Sequence, residues 1–165
     1  MKSRLMFIIL GLFLALSSPA YSANFTYPAD NPVFSIDFPN NWKVTPEGQL
    51  IHAMPQDESV YVGLWALEAG TTIDSALAAV DQMVADMVTD FSCGDAQYVD
   101  VNGITFTEVA GQGNNREDGT PVNVSVDFFS PDGNQVFVLI YFGAPESENK
   151  YGAQLAQIVQ SIHRM

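Results

Sequence analysis

Residues 121–143 constrain this chain more than any other stretch, because they hold two apolar runs joined by Ser130-Pro131-Asp132-Gly133-Asn134. Pro presets the first turn position, Asp suits the second and Gly takes a left-handed one, so the spacing predicts a hairpin with a three-residue loop. Pairing Ser130 with Asn134 sets Phe128 opposite Val136, Val126 opposite Val138, Val124 opposite Ile140 and Val122 opposite Phe142. No side chain on that face carries a polar atom. The reverse face is mixed, with Asp127/Phe137, Ser125/Leu139 and Asn123/Tyr141 as pairs. A slip of one residue would exchange the faces, so register is strongly specified. Each large apolar side chain that is fully buried contributes about 1.5–3 kcal/mol as an upper bound, which makes the hairpin a core-building element.

Residues 1–22 stand outside that fold. Lys2 and Arg4 precede an apolar run over 5–16, interrupted only by Gly11, and Ala20-Tyr21-Ser22 places small side chains at −3 and −1 of a cut after Ser22. The run is too short to span a bilayer and has the layout of a cleavable secretory signal peptide. No Cys follows for lipid attachment. The expected mature chain, 23–165, is one domain without a membrane span, periplasmic or secreted. The whole chain has six Lys+Arg and 19 Asp+Glu, a net charge of −13. Removal of Lys2 and Arg4 leaves four bases against 19 acids, or −15. Such a surface repels phosphate backbones and anionic headgroups, which excludes nucleic acid and polybasic membrane docking. Cys93, the single cysteine, precludes an intrachain disulfide, and next to Gly94 at an expected helix end it reads as a buried structural thiol.

Along the domain, residues 24–31 read as an extended lead-in, and 33–38 alternate Phe34, Ile36 and Phe38 with Ser35 and Asp37 as a half-buried strand. Strands at 42–45, 49–54 and 59–68 follow, the last apolar on both faces and therefore mid-sheet. Thr71-Thr72-Ile73-Asp74 opens a helix expected to run through Phe91 and to stop at Gly94. Its acids, Asp86 and Asp90 among them, have no basic counterpart on it. Asn102-Gly103 joins strands 97–101 and 104–110 in a two-residue hairpin. Residues 111–119 read as a polar, flexible loop. Pro145 at a first turn, with Glu146 and Glu148, starts a closing helix whose stripe is Tyr151, Leu155, Ile158, Val159 and Ile162. Four strands, a helix, four strands and a helix make an α+β fold, a largely antiparallel β-sheet with two packed helices.

No catalytic constellation stands out. His52 and His163 lack partners at metal-ligand spacing, no Gly-x-Ser-x-Gly elbow occurs, and the 111–115 segment lacks the Lys-Ser/Thr of a phosphate loop. No cofactor is expected. Folding 104–110 back onto the hairpin is expected to set Thr105 and Thr107 beside Asn123 and Ser125, with Tyr141, as the lining of a binding surface. The alternative for that face is solvation or cover by a helix. Two further classes compete: weak calcium binding by Asp86, Asp90 or the 114–118 loop, though no Asp-x-Asp-x-Asp-Gly loop supports it, and a hydrolase without a recognisable motif.

Val33-Phe34-Ser35-Ile36-Asp37-Phe38-Pro39-Asn40-Asn41-Trp42 resembles the opening of PsbP/DcrB-like (Mog/PsbP-type) domains, and the Gln157-Ile158-Val159-Gln160-Ser161-Ile162 ending is similar to their closing helix. The resemblance implies an α/β/α sandwich around an antiparallel sheet. It also implies an accessory role, since such proteins serve as assembly factors, effector chaperones, photosystem subunits or GTPase-binding adaptors and not as enzymes. Phe34, Ile36, Phe38, Pro39 and Trp42 then act as core and turn. The export signal departs from the effector chaperones, and the missing lipid-modified Cys departs from lipoprotein relatives. The expectation is an exported, non-catalytic module that recognises a protein or peptide partner.

Overall fold

The computed structural model describes residues 22–165. The expected leader lies outside the described residues apart from Ser22. The hairpin at 121–143 forms as β9 (Pro121–Phe129) and β10 (Phe137–Gly143). Around it runs an eight-stranded sheet in which every pairing is antiparallel. From one edge come β3 (Trp42–Glu47), β4 (Leu50–Pro55), β5 (Val60–Ala66), β10, β9 and β8 (Ile104–Asn115). The outer edge of β8 is shared by β6 (Val88–Cys93) and β7 (Gln97–Val101). The two-sided apolar strand β5 sits between β4 and β10, as its sequence requires.

Two layers cover the sheet. On one face lie a three-stranded sheet of β1 (Ser22–Tyr27), β2 (Phe34–Pro39) and β11 (His163–Arg164), together with α3 (Pro145–Gln160). Phe34, Ile36, Phe38, Tyr151, Ile158 and Ile162 press there onto Val62, Leu64, Phe129, Phe137 and Leu139. On the other face α1 (Ile73–Leu77) and α2 (Val80–Val84) set Ala76, Val80 and Val84 against the valine ladder of Val122, Val124, Val126, Val138 and Ile140. The architecture is the expected antiparallel α/β/α sandwich, with β1, β6 and β11 as strands additional to the eight anticipated. Trp42 is held by an edge-to-face contact with Tyr151 and donates to Gln154 Oε1 at 2.5 Å, which ties the first meander to α3.

The hairpin register differs from expectation by two residues. Phe137 pairs with Phe129, Val138 with Phe128 and Ile140 with Val126. The loop is wider because Asp132 Oδ1 accepts the Asn134 and Gln135 amides, and Ser130 Oγ donates to the Gln135 carbonyl. Val136 is drawn toward the chain just after β5, where its carbonyl accepts from the Leu67 amide at 2.9 Å. A shift of two preserves the faces, so the apolar ladder still lies inward.

The central helix is shorter than its periodicity suggests. Thr72 caps it through a box with Ser75, as the sequence indicates, but α1 and α2 are separated at Ala78-Ala79 and helix ends at Val84. The Arg116 side chain donates to the Ala85 carbonyl at 2.7 Å and its amide donates to that of Met87, so the chain leaves the helix onto the sheet. Val88 and Phe91 belong to β6. The segment 111–115, expected as a flexible loop, is the far half of β8, and its glycines serve this pairing. A Cβ at Gly111 would stand 2.6 Å from the Phe91 ring, and one at Gly113 would stand 2.3 Å from Val88 Cγ1. Cys93 is correspondingly exposed at the end of an edge strand and not buried at a helix end.

Candidate binding cleft

The mixed face of the hairpin is roofed by α3, and between roof and floor lies a cavity of about 240 Å³. Its floor is set by register. Glu108 of β8 lies directly opposite Asp127 of β9, and Asp127 opposite Leu139 of β10. In the next row Ala110, Ser125 and Tyr141 stand side by side. The α3 roof contributes Gly152, Leu155, Ala156 and Val159. Ser125 Oγ donates to Glu108 Oε1 at 3.1 Å, and Asn123 donates through its amide to Glu148 at the α3 end of the cleft.

Opposed like charges on a sheet repel, and cover by α3 removes the water that would screen them. Burial, then repulsion from the Glu108 carboxylate, push Asp127 up to about 7. The sign is opposite to that of a paired carboxylate. The folded chain binds this proton more tightly than the unfolded one, so this site's contribution to stability declines as pH rises from 3.8 through about 7. Burial and Glu148 push the Tyr141 phenol up to about 12. Among the described residues, Tyr141 Oη is the one buried side-chain polar atom without a hydrogen-bond partner.

Of the residues expected to line a binding surface, Ser125 and Tyr141 do line the cleft, and Asn123 sits at its end. Thr105 and Thr107 do not join them. Phe106 pairs with Phe129 and Glu108 with Asp127, so the threonines point to the valine face, where Thr107 is buried and Thr105 exposed. The partners on the floor are the even-numbered residues of β8, because that strand continues unbroken to Asn115 and turns tightly through 116–120. Glu108 escaped the sequence reading for that reason. It is nonetheless the one charged residue in the apolar alternation of Ile104 and Phe106, and a correct parity would have placed it opposite Asp127.

The opposite sheet face carries a wider depression beside Leu50, Tyr61, Trp65 and Met87. Its polar groups satisfy one another: Tyr61 Oη and His52 Nδ1 lie 2.7 Å apart, and His52 Nε2 lies 3.3 Å from Glu47. Among the described residues no three His, Cys, Asp or Glu side chains converge to hold a metal ion. The acids considered for calcium are dispersed. Asp86 follows α2 whereas Asp90 lies in β6, where it accepts from Asn114, and the Asp118 carboxylate caps Thr120. No described helix is long and apolar enough to cross a membrane.

These layers define a small antiparallel α/β/α sandwich with a helix-roofed, acid-floored cleft. The sandwich is a PsbP/Mog1-like fold, shared with several solved structures. The cyanobacterial PsbP (CyanoP) of Synechocystis matches at a TM-score of 0.60 and 11% identity over 88% of this chain and 94% of its own. LpqN of Mycobacterium tuberculosis, involved in cell envelope biogenesis, matches at 0.58 and 14% over 88% and 92%. The Ran-binding protein Mog1p of Saccharomyces cerevisiae matches at 0.56 and 9% over 87% and 95%. A structure from Bacteroides thetaiotaomicron matches at 0.59 and 14%, where 86% of this chain covers 48% of the other. No protein-family model matches the chain, and no curated protein matches it.

Proposed function

We infer that the chain is an exported, non-catalytic accessory module that binds a protein or peptide partner through the cleft beneath α3. The observation that carries this reading is the cleft itself: apolar walls around a few polar groups, which is the usual composition of a recognition site. The leader pattern at 1–22 supports a periplasmic or secreted location, and LpqN, a protein of this fold, is involved in cell envelope biogenesis. Mog1p, another protein of this fold, is a Ran-binding protein, which supports a partner-binding role. A hydrolase is the second reading, favoured by a carboxyl that holds its proton to about pH 7 beside a second acid. In that reading the Glu108 carboxylate, which accepts from Ser125, would be the base.

The test is a photo-crosslinking side chain placed at Ala156, which is exposed at the cleft mouth, and in a control at Glu117, which is exposed on the β8–β9 turn. In the native host, a discrete protein adduct at position 156 and none at 117 is expected, with loss of the adduct in Glu108→Lys. Absence of an adduct at 156, or the same adducts at both positions, contradicts the assignment.

A further inference from the structure

The edges of the two sheets differ in how they meet solvent. An edge strand presents unpaired amides and carbonyls, and prolines, lysines, bulges or shortness keep it from pairing with another chain. β3 carries Lys43 and Pro46, β6 is interrupted by a register break between Thr89 and Ser92, and β11 is two residues long. Along β1 the exposed side chains, Asn24 and Thr26, are polar. β7 has none of these guards. It holds no Pro, Lys or bulge, and among the described residues its outer edge pairs with no strand. Tyr98 is 72% exposed and Val99 45%, and among the described residues the one other large apolar side chain so exposed is Met165. No residue of β7 lines the cleft beneath α3.

The free backbone groups follow from the turn. Asn102 and Gly103, both at positive φ, make a two-residue hairpin, so its closing pair Val101/Ile104 exchanges both hydrogen bonds. Alternation then turns Val99 and Gln97 to β8 and directs the amides and carbonyls of Tyr98 and Asp100 outward.

We propose that β7 is the contact through which two copies of this chain join, antiparallel and about a two-fold axis at Val99. A second copy is the occupant because the strand is its own complement. Val99 is the middle residue of Gln97–Val101, and a ladder centred there overlaps the whole strand. That register sets Tyr98 of each copy opposite Asp100 of the other, so the outward amides and carbonyls satisfy one another. It also faces a phenol with a carboxylate, and no acid with an acid. Val99 meets Val99 in the central non-hydrogen-bonded pair, where side chains approach most closely. The pairing uses up both edges, so assembly closes at two.

Net charge opposes this contact. A chain of −13 repels its copy at long range, and salt screens that repulsion. One short ladder also buries less than the about 1,200 Å² of a standard interface, which makes the dimer weak. Salt therefore strengthens it, the opposite of what a basic strand from another protein would show.

The experiment is sedimentation equilibrium of the protein under reductant, from about 10 μM to about 1 mM, the range in which so small an interface associates. The mass is expected to rise from one chain toward two and no further, with association several-fold tighter at about 0.5 M salt than at about 0.05 M. Val99→Lys, at an exposed position, should keep the fold and hold the chain monomeric. The register is read by oxidation in a Cys93→Ser background. Val99→Cys should form a disulfide-linked pair, whereas Tyr98→Cys, which faces Asp100, should not. A single-chain mass at every concentration, a dimer that survives Val99→Lys, association that weakens with salt, or equal disulfide yields at 98 and 99 overturns the proposal. A basic strand from another protein as the true occupant falls under the first of these. The crosslink at position 156 is read independently, so the cleft stands or falls apart from this edge.

Discussion

Replacing Phe129 with Ala is expected to lower the unfolding free energy by about 3–5 kcal/mol, the range for deleting a fully buried aromatic ring. Phe129 is 0% exposed and sits where the layers meet. Its ring stacks on Phe106 at 4.6 Å and meets Phe34 edge-on at 5.2 Å and Phe137 at 5.7 Å. Those contacts join β8, β9 and β10 to β2 of the overlying small sheet. Each aromatic pair adds about 0.5–1.5 kcal/mol beyond area burial, and the rings cannot all relax into the space left by the missing one. A small domain has about 5–15 kcal/mol of net stability, so the loss is a large share of it. Urea denaturation is the measurement: the midpoint should fall with the slope unchanged, and a loss below about 1 kcal/mol would mean that the layers do not meet at this ring.

Val126→Asp is expected to abolish folding at neutral pH. Val126 is 0% exposed, with Val109 on one side and Ile140 on the other in the ladder beneath α1 and α2. A carboxylate there would be desolvated among hydrocarbon groups, at a cost of several kcal/mol even after it takes up a proton. Some structure should return near pH 4, where the carboxyl is neutral. Circular dichroism across pH decides this, and native melting at pH 7 would place Val126 on the surface. The adjacent Ser125→Asp is not a harmless control. Ser125 bonds Glu108 in the cleft beside Asp127, so this variant should fold but lose stability above neutral pH, where three carboxylates share one cleft.

The parts of this molecule legible in the sequence are those where side-chain pattern and face coincide. The valine ladder, the Phe34-Ile36-Phe38 strand and the Tyr151-to-Ile162 stripe each announce one buried face, and a register error of two in the hairpin left every face intact. What the sequence obscured arises where distant segments decide. Val84 to Phe91 keeps a helical period, yet the glycines at 111 and 113 open space for Val88 and Phe91 on a neighbouring strand, and Arg116 takes the carbonyl of Ala85 just past the helix. Cys93 became exposed as a consequence. The binding cleft was half legible for the same reason. Ser125 and Tyr141 were placed by the hairpin alone, whereas Glu108 depended on the parity of β8 against β9, which a glycine-rich continuation of the strand concealed.

The account depends most on α3 closing over the sheet to form a roofed, acid-floored cleft, and Asp127 reports on that directly. Its side-chain carboxyl carbon can be followed by NMR through a pH titration, with Glu108→Gln as a companion. A midpoint of about 7, moving down when Glu108 loses its charge, is the result predicted from burial and the opposed acid. A midpoint near 3.8 in both proteins would show a solvated carboxyl on an open sheet face, and the cleft would not exist.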